Sequence, residues 1–263
     1  MNDDTSQALK AAWEALDRDE FRFAEARARE VLARSPQDGE ALYLLGSTLL
    51  FEGRLHEALA PLGNAASRLK RRGPGYRLAH CQFGLGDLAG AESSLLRETA
   101  AYPESASAHN TLGAVLSAQG RKEEALAAFL AALRADPAHA EAGVNAATAL
   151  HAMGRYAEAL PLLEQAARER PDLAQVHQNL GLVLHALQRY QEAAASFARA
   201  RAVDPKLPYA VSSQVWAELF ACDWREIGAH IADMRTEARE GRVPVSPFML
   251  LAVTDSPAEQ LRA

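Results

Sequence analysis

Apolar residues recur along this chain in short helical stripes broken by polar turns. In residues 106–139, Thr111-Leu112-Gly113-Ala114-Val115-Leu116 makes one stripe that ends near Gly120. Glu124-Ala125-Leu126-Ala127-Ala128-Phe129 opens a second, continuing through Ala132 and Leu133 to Pro137. Apolar positions three and four apart predict helices, and the short polar gap predicts that the two lie antiparallel. Gly113 and Ala125 are small enough for the axes to approach, and Phe129 fills the space left beside them. Gly120 supplies the left-handed conformation that closes a helix at little cost. Pro137 cannot continue a helix and is suited to opening the next.

The pattern repeats. Pro103, Pro137, Pro171 and Pro205 are spaced by 34 residues, as are Ala91, Ala125, Ala159 and Ala193. Gly86, Gly120 and Gly154 keep the same interval, with Gln188 in the next place. Gly53 and Ala58 lie 33 residues before Gly86 and Ala91, and Pro36 begins the proline series. A constant interval of this length means stacked supersecondary units. Six units follow: 5–38, 39–71, 72–105, 106–139, 140–173 and 174–207. The first carries alanines where large residues belong, and the third diverges at Ala79 and Gly90-Ala91. The predicted class is all-α, a solenoid of six to seven helix pairs.

These units resemble the tetratricopeptide repeat (TPR) family. The resemblance rests on Leu45-Gly46 with Glu57-Ala58; on Leu112-Gly113 with Glu124-Ala125, Phe129 and Pro137; and on Leu180-Gly181 with Tyr190, Glu192-Ala193, Phe197 and Pro205. It covers about three quarters of the chain. It implies a right-handed superhelix whose concave face, lined by the first helix of each pair, holds extended polypeptide.

Beyond Pro205 the period fades. Tyr156, Tyr190 and Trp224 are 34 apart, so residues 208–241 read as a degenerate seventh pair with helices near 208–221 and 224–240. Gly241, Pro244 and Pro247 then end the array. Residues 242–263 read as a linker and the start of a following region. Phe248–Val253 is an apolar run in want of a partner surface, and Ser256-Pro257-Ala258-Glu259 is a capping box a few residues before the last. The expectation is a polypeptide that continues past Ala263. Cys222-Asp223-Trp224, Ile227, Gly241, Pro244-Val245-Ser246-Pro247-Phe248-Met249-Leu250-Leu251, Asp255, Pro257 and Gln260-Leu261 resemble the junction between TPR array and catalytic region in O-linked N-acetylglucosamine transferases and their SPINDLY-like relatives. That resemblance implies a substrate-recognition arm preceding lobes that bind a UDP-sugar. Some members carry His-Pro where Ser246-Pro247 stands here, and the lobes themselves are absent from these 263 residues.

Charge narrows the partners. Lys and Arg total 28 against 34 Asp and Glu, a net charge of -6, which disfavours a protein that tracks nucleic-acid phosphates. Cys81 and Cys222 are too few and too distant for a disulfide framework or zinc site. With no basic leader and no apolar stretch near the ~20 residues that span a bilayer, the expectation is a cytoplasmic chain with protein or peptide ligands. Neither nucleic acid nor membrane is an expected partner, and a second copy would join through the convex face.

Residues repeating at the 34-residue interval should form ladders along the concave face. Thr111, Asn145 and Asn179 make one, with Asn110 beside Thr111. In the O-linked N-acetylglucosamine transferase family an asparagine at this place contacts peptide backbone; Asn145 and Asn179 match it, whereas Thr111, Arg77 and Leu44 depart. An amide both donates and accepts, so it can serve a backbone of any sequence. Both asparagines are expected to face solvent. His151 and His185 are also 34 apart, near His80, and read as groove polarity rather than metal ligands, which would have to converge. Tyr76, Arg77, Thr148 and Gln178 complete the candidate surface. Arg68, Lys70, Arg71, Arg72 and Arg77 form one basic cluster, which could serve an acidic ligand or nucleic acid but reads first as cations that complement a helix C-terminus. Gly84-Leu85-Gly86 with Gly90 lacks the strand and spacing of a phosphate loop. Glu57, Glu124, Glu158 and Glu192 share one repeat place and read as helix N-terminal charge. With no nucleophile–base pair and no metal motif, the chain reads as non-catalytic and cofactor-free. It is either the recognition arm of a larger glycosyltransferase or a stand-alone TPR scaffold.

Overall fold

The computed structural model describes residues 3–241 and 243–253. Among them are fifteen α-helices and no strand. By contact density the chain divides into Met1–Asp136 and Pro137–Ala263. The first unit holds α1 (Asp3–Leu16), α2 (Phe21–Arg34), α3 (Gly39–Phe51), α4 (Leu55–Arg68), α5 (Pro74–Gly84), α6 (Leu88–Ala101), α7 (Ala106–Ala118) and α8 (Lys122–Ala135). The second holds α9 (Ala140–Ala152), α10 (Tyr156–Glu169), α11 (Ala174–Ala186), α12 (Tyr190–Val203), α13 (Ala210–Ala221), α14 (Ile227–Glu240) and α15 (Pro247–Val253). Each first helix packs on the second helix of its own pair. Within each unit it also packs on the second helix of the preceding pair. No described helix is long and apolar enough to cross a membrane.

The seam inside each pair is a small residue against a large one. A methyl placed on Gly113 would stand 2.5 Å from the ring of Phe129, and one on Gly181 would stand 2.5 Å from that of Phe197. Gly46 meets Leu62 in the same way, at 2.6 Å. Real carbons do not approach so closely, so glycine is what lets these axes close up. Phe197 is fully buried in consequence.

The turns between the helices of a pair repeat as well. Gly53, Gly86, Gly120 and Gly154 all have positive φ, 76°, 79°, 79° and 74°. Asp19, Gln188 and Cys222 occupy the same repeat place without being glycine, yet their φ values are 61°, 61° and 52°. The stacking of the flanking helices therefore imposes the left-handed turn even where the side chain resists it. The repeated prolines do a different job from the one anticipated. Pro36, Pro103, Pro137, Pro171 and Pro205 stand two residues past the ends of α2, α6, α8, α10 and α12, and none opens the following helix. The carbonyls of Pro103 and Pro171 accept hydrogen bonds from Nε2 of His109 and His177, each at 3.0 Å.

In the last stretch α13, α14 and α15 share a core of Val211, Val215, Ile227, Met234, Val245, Met249 and Leu250. Half of the Phe248–Val253 run is thus covered by its own neighbours, while Phe248 and Leu251 remain exposed. Trp224 does not repeat the role of Tyr156 and Tyr190. Those tyrosines open α10 and α12 and pack against histidines, whereas Trp224 is 64% exposed and precedes α14 by three residues. Asp223 accounts for the shift: its carboxylate accepts from the Arg225 backbone N–H at 3.2 Å and pairs with the Arg225 guanidinium. The turn is thereby lengthened before a helix can begin. The Ser256–Glu259 capping box, with Asp255 and Gln260-Leu261, lies outside the described residues.

Candidate functional site

First helices of neighbouring pairs touch directly: α1 with α3, α3 with α5, and α5 with α7 in the first unit, and α9 with α11 in the second. Side chains from successive pairs are therefore brought side by side, and every sequence-predicted site residue lies on α5, α7, α9 or α11.

In the first unit the centre is Arg77. Its guanidinium lies over three rings, 5.5 Å from the centroid of Trp13 on α1 and 5.1 Å from those of Tyr43 and Phe51 on α3. Rings attract a cation through their negative faces, but they cannot accept its N–H bonds along the plane as a carboxylate does. Nη1 of Arg77 is shut off from water and has no hydrogen-bond partner. Among the described residues the side chain forms no ion pair, in contrast to Arg71 beside it, which pairs with Glu40 at 2.6 Å. Burial pushes the Arg77 pKa down and the Tyr43 hydroxyl's up. A guanidinium nonetheless keeps its proton, so the charge stays. On the same helix the rings of Tyr76 and His80 lie 5.9 Å apart. Asn110 and Thr111 do not join this surface openly, because both are buried within α7.

In the second unit the expected asparagine ladder is partly closed on itself. Nδ2 of Asn179 donates to Oγ1 of Thr148 at 3.3 Å, and its Oδ1 accepts from Nε2 of Gln175 at 3.0 Å. Asn145 and Asn179 are half-buried rather than fully solvent-facing. Thr148, His151 and Asn179 share the lining of a small cavity of about 60 Å³. His151 and His185 each meet, edge-on, the tyrosine five residues later, at 5.1 Å and 4.9 Å. His185 is further stacked on Trp216 at 3.7 Å and edged by Phe220 at 5.1 Å. Its Nε2 is buried without a partner, and burial lowers its pKa. Gln178 is buried, and its Nε2 donates to Oγ of Ser213 on α13 at 3.2 Å. Among the described residues, no three His, Cys, Asp or Glu side chains converge as a metal site would require.

Of the rings that frame Arg77 and His185, the repeat marked Tyr190 alone. Tyr43 could have been found, since it precedes Tyr76 by the 33-residue slip of that unit, and Trp216 and Phe220 are four apart, hence on one helix face. The acidic series is explained by pairing. Glu57, Glu124, Glu158 and Glu192 each bind the arginine three residues earlier at 2.6–2.7 Å, which holds all four carboxyls below the usual range. These exposed pairs contribute little to stability.

Solved structures share this architecture. The Cut9–Hcn1 assembly of the APC/C is 20% identical over 81% of this chain and 42% of its own, with a TM-score of 0.69. PilF of Pseudomonas aeruginosa is 17% identical over 76% and 92%, with a TM-score of 0.68. YrrB, described as a TPR protein with an unusual peptide-binding site, is 17% identical over 73% and 97%, with a TM-score of 0.58. At such identities the likeness speaks for the fold alone. No curated protein sequence matches the chain. The tetratricopeptide repeat family model matches residues 9–75, 76–140 and 144–208. With most of the chain under that model and the glycine-against-phenylalanine seams in place, the protein belongs to the tetratricopeptide repeat family.

Proposed function

We propose that this chain is a scaffold that holds extended polypeptide against the first helices of its repeats, with an acidic side chain of the ligand seated on Arg77. Arg77 carries the reading. It is a partly buried cation whose Nη1 has no hydrogen-bond partner, set against three rings, and the Asp17 carboxylate acts on its charge only at a distance, without an ion pair. A carboxylate would complete both its charge and its hydrogen bonds, and loss of such a pair costs about ten- to a hundredfold in affinity. A random peptide library selected on the intact chain should return sequences with Asp or Glu at a fixed place, and that preference should vanish on Arg77→Met. Recovery of no peptide above background would remove the polypeptide-binding reading.

A finer reading makes the chain the recognition arm of a protein O-linked N-acetylglucosamine transferase of SPINDLY type. It is supported by the resemblance of residues 222–261 to that family's junction and by Asn145 and Asn179. It requires a polypeptide in which nucleotide-sugar lobes follow Ala263 and transfer N-acetylglucosamine to bound peptides. A coding sequence that stops at Ala263 would leave the stand-alone scaffold, which the packing of Met249 and Leu250 onto α13 and α14 favours.

A further inference from the structure

The cavities of the two units differ in what they offer. One, of about 650 Å³, includes Glu164, Arg168, Glu192 and Arg199 in its lining, and another of about 460 Å³ includes Lys70, Arg71, Arg97 and Glu98. A third, of about 320 Å³ in the second unit, has no charged residue in its lining. One wall is aromatic: Tyr209, Trp216 and Phe248. The rest of the lining is hydroxylic, Ser212, Ser213 and Ser246, together with Met249.

The hydroxyls are in a particular state. Ser212 Oγ accepts from the Ser246 backbone N–H at 2.9 Å, Ser246 Oγ accepts from that of Met249 at 3.4 Å, and Ser213 Oγ accepts from Gln178 Nε2 at 3.2 Å. Among the described residues none of the three donates its own proton. A hydroxyl has one proton to give, so this wall presents O–H donors and wants acceptors. Behind it, Oε1 of the more than nine-tenths buried Gln178 has no partner. Trp216 stacks on His185, but the other two rings are uncommitted: Tyr209 is 49% exposed and Phe248 is 72% exposed. Phe248 is held there because Met249 and Leu250, its neighbours on α15, are locked into the α13–α14 core.

We infer that this cavity is a binding site for an uncharged, bulky apolar side chain of an extended polypeptide, whose backbone carbonyl takes the serine protons. A charged side chain is disfavoured, because the lining offers it neutral hydroxyls and no opposite charge to pair with. An aromatic or large aliphatic group fits a concave site of this size, apolar with a few placed polar groups. The inference rests on the polypeptide-binding reading, and adds to Arg77's acidic residue a separate, apolar determinant.

The test uses the full chain with its methionine methyl groups isotopically labelled, because Met249 lines the cavity while Met234 lies fully buried in the adjacent core. N-acetylphenylalaninamide should shift the Met249 methyl resonance saturably and leave Met234 and Met153 unmoved. N-acetylaspartate amide should produce no shift. Phe248→Ala, which removes an exposed ring, should weaken the response by about fivefold or more while the Met234 resonance keeps its position. A silent Met249, an equal response to the aspartate probe, or an unchanged affinity in Phe248→Ala would overturn the inference. Because Arg77 lies in the other unit, peptide selection that still depends on it would show that only the apolar site had failed. Loss of both would sink the wider reading.

Discussion

Arg77 in the first unit and His185 in the second are both basic side chains set among aromatic rings, each with a buried nitrogen that finds no partner. Their chemistry makes them opposites. Burial penalises the charged form of either group. His185 escapes by shedding its proton, and as a neutral ring it stacks on Trp216 at 3.7 Å like any aromatic residue. Arg77 has no such escape, because a guanidinium stays protonated in proteins. The same device, a basic side chain among rings, therefore yields packing in one unit and a cation without a direct ion-pair partner in the other.

The strongest way to break the comparison is to loosen the platform under one cluster. Phe197→Ala empties the seam against Gly181 and should destabilise the chain by about 3–5 kcal/mol. Amide hydrogen exchange should then quicken in α11 and α12 while α1–α8 keep their protection, as stability in repeat proteins is local. Uniform loss of protection along the chain would contradict that locality.

Removing a wall of the His185 cluster is a milder attack. Trp216 is only half-buried, so Trp216→Ala should cost about 2 kcal/mol, below the full range for such truncations. It should also let the His185 pKa climb back toward its ordinary 6.5, read from the imidazole proton resonances. The sign of the linkage follows. A folded pKa below the unfolded one means that the unfolded chain binds the proton more readily, so the His185 contribution is complete above pH 6.5 and is lost as pH falls. His185→Phe should remove that part of the decline in melting temperature between pH 7 and 5.

The smallest effect tests the turns. Gln188 adopts the left-handed conformation that Gly53, Gly86, Gly120 and Gly154 adopt freely. Gln188→Gly should stabilise the chain by about 0.5 kcal/mol, the relief of backbone strain outweighing glycine's extra entropy in the unfolded state. A loss of stability in denaturant melts would show that Gln188 is strained less than its φ of 61° implies.

The fold was legible because a repeat writes the same physical solution several times. Spacing alone located the helix pairs, the glycine turns and the residues on the first helices. The site was legible only in part. Arg77 and His185 could be placed on first helices, but nothing in the residue order signalled that one would remain a cation without an ion pair and the other a stacked neutral ring. Nor did it show that Asn179 would spend its amide on Thr148 and Gln175.

What the amino-acid order determined by itself is local: which residues are helical, where small faces large, and where the chain must turn. Packing decided the rest. Trp13, Tyr43 and Phe51 reach Arg77 from two other helices, and Asp19, Gln188 and Cys222 are driven into a backbone conformation that their own side chains disfavour. Hydrophobic periodicity fixes a side chain's direction from its own helix. What it meets there depends on residues one or two repeats away, and that information exists only once the helices are stacked.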